Sequence, residues 1–474
     1  MWSTSGRSDA KPLPRRGRVG RRPPSPRGRL GNAVSATISS AGGGQRRQVA
    51  AAVLVGVVLQ ALIFAFVFPN LWYGVHESTD APRLQQRATR VWHGELPYRD
   101  FDFEYPPLSV PLLLAPGHAD GPAELPAYER WFAVEMFVLT LLTSVVITLS
   151  AWTIWRRPAR AFQAAAAGAL FVAAAGPIVE NRYDMAVALL VSLTILLLAR
   201  RRTSGAGAVV GLGTALKTAP LVLLPLVLSV ADGRRRRLWA GGAAALVLLV
   251  AYLPFVVVAP DGVLESFAYH GDRPLQVEST LATPLLLLHL AGTEEATVRY
   301  TFGSHNLHVS GAGPAIWAAP LLTVGALAAA WALTWRARRA LVMRPQALAL
   351  AVLAALLAFM VFNKVASPQY YVWLIAPAAL LLLEDRLVGM LMLATAFTTQ
   401  VEFPAFYWPL VHLEAAGIVV VTLRNGMLIV TFAMVLARLW RLGSGRADQA
   451  SAGLAGTPES ATGHVAAADA TVGA

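Results

Sequence analysis

Long apolar runs closed off by arginine dominate this chain, and they leave few ways for it to fold. Val49 to Phe68, Trp131 to Trp155, Trp239 to Ala259, Pro314 to Trp335 and Ala347 to Phe362 each read as a segment that crosses about 30 Å of hydrocarbon. With 56% of its 474 residues hydrophobic, 14% charged and a mean hydropathy of +0.53, the chain cannot cover itself with a water-compatible surface. Runs of this length make helices, not barrel strands. The expected fold is therefore an all-α polytopic membrane protein.

Charge orients it. A net charge of +13 and a pI near 10.5 would suit nucleic acid. The arginines, however, stand where apolar runs end: Arg156-Arg157, Arg200 to Arg202, Arg234 to Arg237, Arg336, Arg338-Arg339, and Arg438 with Arg441. This is the positive-inside pattern, and it implies membrane lipids rather than nucleic acid as surroundings. The outer connections are then 70–126, 178–184, 260–313, 363–368 and roughly 402–424. Residues 1–48 carry eleven basic residues and one acidic and are expected to be a disordered cytosolic tail. Residues 49–442 form the transmembrane domain, and 443–474 form a second disordered cytosolic tail. Cysteine is absent, so no disulfide or thiolate metal site arises.

One stretch departs from this rhythm. Gly205 to Ala231 has arginines at both ends, yet its 27 residues fall short of the roughly 40 that two full spans need. It reads as two half-helices turning at Lys217-Thr218-Ala219-Pro220, the first rising about 18 Å and carrying Lys217 past the midplane. In the 260–313 connection, Leu281 to Leu290 is too short to span. Val298, Tyr300 and Phe302 alternate before Gly303-Ser304, as in a small hairpin. The expectation is ten full spans and two half-helices, with no internal repeat of the kind many transporters show.

Polar chemistry gathers in the outer connections. Thr79-Asp80 and GELPYRDFDFEYPPL, from Gly94 to Leu108, bring five carboxylates together, Glu104 among them and followed by Tyr105-Pro106-Pro107. Asp80 opens an amphipathic segment ending at Gly94, with Leu84, Ala88, Val91 and Trp92 on one face; taken alone, Asp80 reads as its N-cap. Of 40 basic residues only Lys11, Lys217 and Lys364 are lysine, and the last two are flanked by apolar helix. An ion at that depth is expensive, so each reads as functional, with an inter-helix salt bridge as the competing account. A compact ammonium suits a phosphate oxygen. Further candidates are Arg182 and Asp184 in ENRYDM, His270, Asp272, Arg273, Gln276 and Glu278 in YHGDRPLQVEST, Gln369 in NKVASPQYYVWL, Glu402, and Arg424-Asn425. Any one of them alone could be a snorkelling or interfacial pair; their shared side is the stronger signal. Trp72, Tyr73, Trp131 and Trp408 read as interfacial belt. No HExxH, Walker loop, histidine pair at ligand spacing or nucleophile elbow occurs, and neither a metal nor a cofactor is called for.

Taken in order, TDxxRL near Asp80, GELPYRDFDFEYPPL, ENRYDM, GLGTALKTAPLVLLP, RPLQVEST, NKVASPQYYVWL, VEFP and LRNGMLIV span residues 70 to 430. Together they resemble the integral-membrane GT-C glycosyltransferases, most of all family 87. The resemblance implies a GT-C-like bundle in a bacterial cytoplasmic membrane. It also implies transfer of a sugar, mannose foremost, from a polyprenyl-phosphate donor to a glycolipid or glycan on the outer face, with inversion. It assigns the first outer acid, here Asp80, as base. The family commonly carries a tyrosine about four residues further on, where this chain has Leu84 and Gln85. The residue chemistry is compatible: a single displacement needs one carboxylate, and a phosphate leaving group needs cations. Lys217, Arg182, Arg273, Lys364 and Arg424 are the expected donor-phosphate set. Glu104, Tyr105, His270, Gln276, Glu278 and Gln369 are expected to orient the substrates. Two other readings compete, a secondary transporter or lipid-carrier flippase, and an inactive membrane scaffold.

Overall fold

A computed structural model describes residues 42–71, 79–117 and 124–444. The expected tails and the belt residues Trp72 and Tyr73 lie outside these, apart from the tails' inner margins. The chain divides into two compact units after Arg46, and the architecture below is that of the described residues of the second.

The membrane helices are α1 (Gly43–Leu62, prolonged by irregular turns to Asn70), α3 (Leu125–Trp155), α4 (Pro158–Ala175), α5 (Asp184–Ala199), α8 (Gly233–Val258), α11 (Ala312–Met343), α12 (Leu348–Val361), α13 (Ile375–Glu384), α14 (Arg386–Gln400) and α15 (Ala415–Gly443). Ten full spans are expected, and among the described residues these ten helices do not all qualify. Only seven of them, by length and composition, can cross a bilayer unaided. The short ones are α5, α12 and α13, with 16, 14 and 10 residues, whereas α14 is continued by an irregular turn to Ala405 and reaches 20. At 1.5 Å per residue, α12 covers only about 21 Å, less than the Ala347–Phe362 run suggests. The physical reason is its position. All of α12 but Phe359 is buried, so its ends abut protein rather than water and need not reach the membrane surface. Apolar on every side, it is the centre of the bundle. The long helices α8 and α11 instead expose rows of Leu, Val and Trp.

The expected hairpin is present. Helix α6 (Thr203–Leu216) ends at Lys217, and the chain returns through a 3₁₀ turn, Ala219–Leu223, into α7 (Leu224–Val230). Only Ala240 and Ala244 of α8 are buried. They lie on Gly207 and Gly211 of α6. A Cβ on Gly211 would meet the Ala244 carbonyl oxygen at 2.7 Å, and one on Gly207 would overlap the Ala240 carbonyl. Small residues one turn apart thus let two backbones touch, the kind of packing that holds helices together in lipid.

The arginine-bearing turns meet at one end. Arg201 donates to the Val342 carbonyl at 3.2 Å, Arg438 pairs with Asp385 at 2.8 Å, and Arg237 lies 4.9 Å from the Trp335 ring. At the other end the amphipathic segment is α2 (Ala81–Trp92), burying Leu84 and Ala88. A helix not anticipated from the sequence, α9 (Pro260–Asp272), follows α8 directly. Next come the short α10 (Thr283–Leu290) and the expected hairpin, β1 (Thr297–Thr301) against β2 (Ser304–His308), with Val298 opposite Leu307. The segment 275–277 adds to β2 through Val277 N–H to the His305 carbonyl (3.1 Å) and Leu307 N–H to the Leu275 carbonyl (2.8 Å).

If α8 is held through these glycines, Gly207→Ala lowers the thermal unfolding midpoint in detergent, a cost of about 1–3 kcal/mol. Gly242→Ala, on an open face of the same contact's outer helix, leaves it unchanged or slightly raised, because alanine is the better helix former. A midpoint in Gly207→Ala equal to that of the parent would contradict this packing.

Candidate active site

The connections at the far end from the arginines enclose a cavity of about 490 Å³. Its wall draws on the loop around Asp80, the DFEYPP loop, the α6–α7 turn, α9 and the loop after it, the β-hairpin, and the turns after α12 and α14. The DFEYPP loop is fixed on the bundle by the Leu108 N–H, which donates to the Ala215 carbonyl of α6 at 2.8 Å. It is also fixed by the Tyr98 hydroxyl, which donates to the Tyr105 carbonyl at 2.5 Å. Edge-on contacts link Tyr98, Phe103, Tyr105 and Tyr183 at centroid distances of 5.4 to 5.6 Å. The repeated aromatics in this motif are thus a rigid support for the residues between them.

Asp80 stands in the wall, ion-paired with Arg182. Its side chain makes no capping bond to α2; the Ala81 N–H donates instead to the Thr79 hydroxyl at 3.1 Å. Asp80 thus holds the N-cap position of α2, as its place in the sequence suggests, but its carboxylate is not spent on capping and lines the cavity instead. Glu104 is buried and clamped by two arginines one turn apart on α2, Arg83 at 2.7 Å and Arg87 at 3.1 Å. Arg83 in turn presses on Gly303, where φ is +67° and a Cβ would collide with the guanidinium. The hairpin turn thus needs glycine twice over.

Lys217 and Asp184 form an ion pair at 2.7 Å, and the Trp373 indole N–H donates to the same carboxylate oxygen at 2.6 Å. The ammonium also faces Tyr183, Trp373 and Tyr370 rings at 4.9, 5.3 and 5.8 Å. The competing account of Lys217 as an inter-helix salt bridge is thus present in geometry, but the pair lines the cavity. Arg273 differs. Its guanidinium donates to the Ser304 hydroxyl at 2.9 Å, and among the described residues it has no carboxylate partner within ion-pair distance; its Nε is buried without a hydrogen bond.

His270 bonds through Nε2 to the Glu104 carbonyl at 3.0 Å. A carbonyl can only accept, so this nitrogen carries the proton. Burial, with Arg273 and Lys217 nearby, pushes the imidazole pKa down and keeps it neutral at pH 7. Gln276 is spent on structure: its amide oxygen accepts from the Ala366 N–H at 2.9 Å, and its own N–H donates to the Lys364 carbonyl at 2.9 Å. Its amide nitrogen donates to Glu278. Tyr105 and Gln369 line the wall, the latter accepting from the Ser367 hydroxyl.

Two members of the expected phosphate set are not in that wall. Lys364 donates to the Gly271 carbonyl, away from the cavity. Arg424 is fully buried, 3.6 Å from Glu402, with a bond to the Glu278 carbonyl. Asn425 beside it donates to the Thr283 hydroxyl at 2.8 Å. Both are reached through backbone carbonyls that sequence spacing does not reveal. Conversely, Arg83, Tyr183, Tyr300, His305, Tyr370, Trp373 and Tyr407 line the cavity without having been singled out, and Trp408 lines it too instead of serving only as belt. The TDxxRL spacing, with Arg83 three residues after Asp80, was the available signal for the first.

Glu278 is almost fully buried, and one carboxylate oxygen has no partner. Burial and the neighbouring Glu402 raise its pKa well above the usual carboxylate range. Arg424 can neutralise one of the two acids, so the other keeps its proton. A group whose folded pKa is raised gives its full stability below the unfolded value, about 4.3, and loses it as pH rises toward the folded value. Glu278→Gln cannot titrate, so its unfolding midpoint relative to the parent should climb as pH rises above the ordinary carboxylate range. A difference that falls with pH would mean that Glu278 is held ionised.

No curated protein matches the sequence. Among solved structures, ArnT from Cupriavidus metallidurans bound to undecaprenyl phosphate superposes with a TM-score of 0.41 and 18% identity, over 85% of this chain and 78% of that one. The sequence pattern of Glycosyltransferase family 87 matches residues 103–368, which is 266 of 474 positions and runs from the DFEYPP loop through the cavity to Pro368. Covering more than half of the chain and most of the elements that build the cavity, this match makes the protein a member of glycosyltransferase family 87.

Proposed function

We propose that the protein transfers a sugar, mannose foremost, from a polyprenyl-phosphate donor to a hydroxyl of a glycolipid or glycan acceptor, at the outer face of a bacterial cytoplasmic membrane. The observation that carries this reading is a single cavity, above a membrane bundle, whose wall holds the Asp80 carboxylate together with the cations Arg182, Lys217 and Arg273. Arginines at the opposite end of the bundle support the outward orientation.

In this reading Asp80 removes the acceptor hydroxyl proton as the oxygen attacks the anomeric carbon. The bond from that carbon to the donor phosphate oxygen breaks on the opposite face, inverting the centre, and its electron pair stays with the phosphate. A phosphodiester of charge −1 thereby becomes a monoester of about −2, so cations fixed at the leaving oxygen favour the transition state over the ground state. Arg273, which among the described residues has no carboxylate to leave, is the principal anchor. Lys217 and Arg182 arrive already paired with Asp184 and Asp80 and shift part of that interaction to the phosphate. Glu104 acts by holding Arg83 and α2, which carry Asp80 on the same segment. Tyr105, His270, Glu278 and Gln369 border the space left for the sugar, and Gln276 sets the loop beneath them. Neither a metal nor a cofactor enters the scheme.

The test is transfer of label from a polyprenyl-phosphate sugar into lipid-extract acceptors by protein in vesicles. Asp80→Asn should lower turnover by about 10² to 10⁴ with donor binding retained. Arg273→Gln should weaken donor binding by roughly tenfold or more. Full transfer by Asp80→Asn would remove the base, and uptake or flipping that survives it would favour a transporter.

A further inference from the structure

The cavity has two unlike halves. The cationic half accounts for a phosphate. The other is a rim of aromatic rings contributed by two elements far apart in sequence: Tyr300 and His305 from the β-hairpin, and Tyr407 and Trp408 from the turn after α14. His305 is the centre of the group. Its Nδ1 shares a hydrogen bond of 2.8 Å with the Tyr407 hydroxyl, and its ring lies 5.1 Å from Tyr300, 5.5 Å from Tyr407 and 5.6 Å from Trp408. Trp408 is braced from behind by His412, stacked at 6.0 Å.

These rings are fixed by one another, yet two of them keep much of their surface open. Tyr300 is 66% exposed and Trp408 45%. A belt tryptophan would explain the exposure of Trp408 alone. It explains neither the exposed tyrosine on strand β1 nor the histidine paired with it, which holds the rings as one surface around a polar cavity. The rim also shares its cavity with the base: Tyr300 and Tyr407 line the same space as Asp80 and the Arg182 paired with it.

We propose that this rim is the acceptor subsite and that it receives a sugar ring, so that the hydroxyl presented to Asp80 belongs to a carbohydrate. One face of a sugar ring is a patch of slightly positive C–H bonds. It fits the negative face of an indole or phenol, and hydroxyls at the ring edge find the Tyr407 and His305 polar atoms. Such rings provide contact area at little cost in side-chain entropy. The inference rests on the glycosyl transfer proposed above and adds which wall of the cavity serves the acceptor.

The test uses the full chain in nanodiscs, with methyl glycosides of mannose, galactose and arabinose as probes in saturation-transfer NMR, and undecaprenyl phosphate binding measured on the same preparations. The parent should bind at least one glycoside, with saturation concentrated on the C–H protons of one ring face. Trp408→Ala and Tyr300→Ala should each weaken that binding roughly fivefold. Trp408→Phe should stay within about twofold of the parent, and undecaprenyl phosphate affinity should be the same in all. Tyr300 is exposed, so loss of binding there cannot be assigned to a damaged core. Undecaprenyl phosphate binding without glycoside binding, or alanine variants that bind as the parent does, would overturn the subsite while leaving the donor site standing. Binding of neither ligand would overturn it together with the reading beneath it.

Discussion

At the depth where the short helices end, a lone charge costs more than the fold can supply, and this cost organises the cavity. Asp184 heads α5, Lys217 ends α6, and Trp373 follows α12; one ion pair and one indole hydrogen bond bring all three to the same point. Removing either partner would strand the other in a largely buried site, a larger penalty than losing the pair's net attraction. The second such unit, Arg424 with Glu402 beneath the Glu278 loop, has the same logic. Both units fix loops to helices, and the cavity is the space between them.

The lipid solvent explains the rest of the arrangement. Helices facing hydrocarbon must reach across it, so α8 and α11 are long and expose their apolar sides. Helices inside the bundle are spared that requirement, and their shortness leaves room for irregular backbone that protein, not lipid, covers. The half-helix hairpin uses this room to carry Lys217 into the cavity wall. Close contact between α6 and α8 through Gly207 and Gly211 seals its outer side.

Much of this was legible in the sequence, for identifiable reasons. Arginine at both ends of too short a run gave the hairpin; alternation around Gly303 gave the strands; rarity pointed to Lys217. The place of Asp80 in the cavity wall was legible only through the resemblance of its motif, because local reasoning spent its carboxylate on a capping bond that is not formed. What was not legible depends on partners distant in sequence. Lys364 and Arg424 look like Lys217 and Arg273 in one dimension, but bonds to the carbonyls of Gly271 and Glu278 turn them out of the cavity wall. The aromatic rim is divided between residues 300–305 and 407–408, and nothing in either segment alone marks it as one surface. Helix α9 was hidden because polar residues such as Asp261, Glu265 and Asp272 make its sequence read as a loop.

The central claim is that the cations of this cavity hold the phosphate of a lipid carrier within reach of Asp80. A cryo-EM structure of the protein in nanodiscs saturated with undecaprenyl phosphate tests it directly. The account predicts phosphate density in hydrogen-bonding contact with the Arg273 guanidinium, Lys217 or Arg182 beside it, and the lipid chain running from there into the bilayer. Phosphate bound instead at the arginine-rich turns of the opposite end, with the cavity empty, would contradict it.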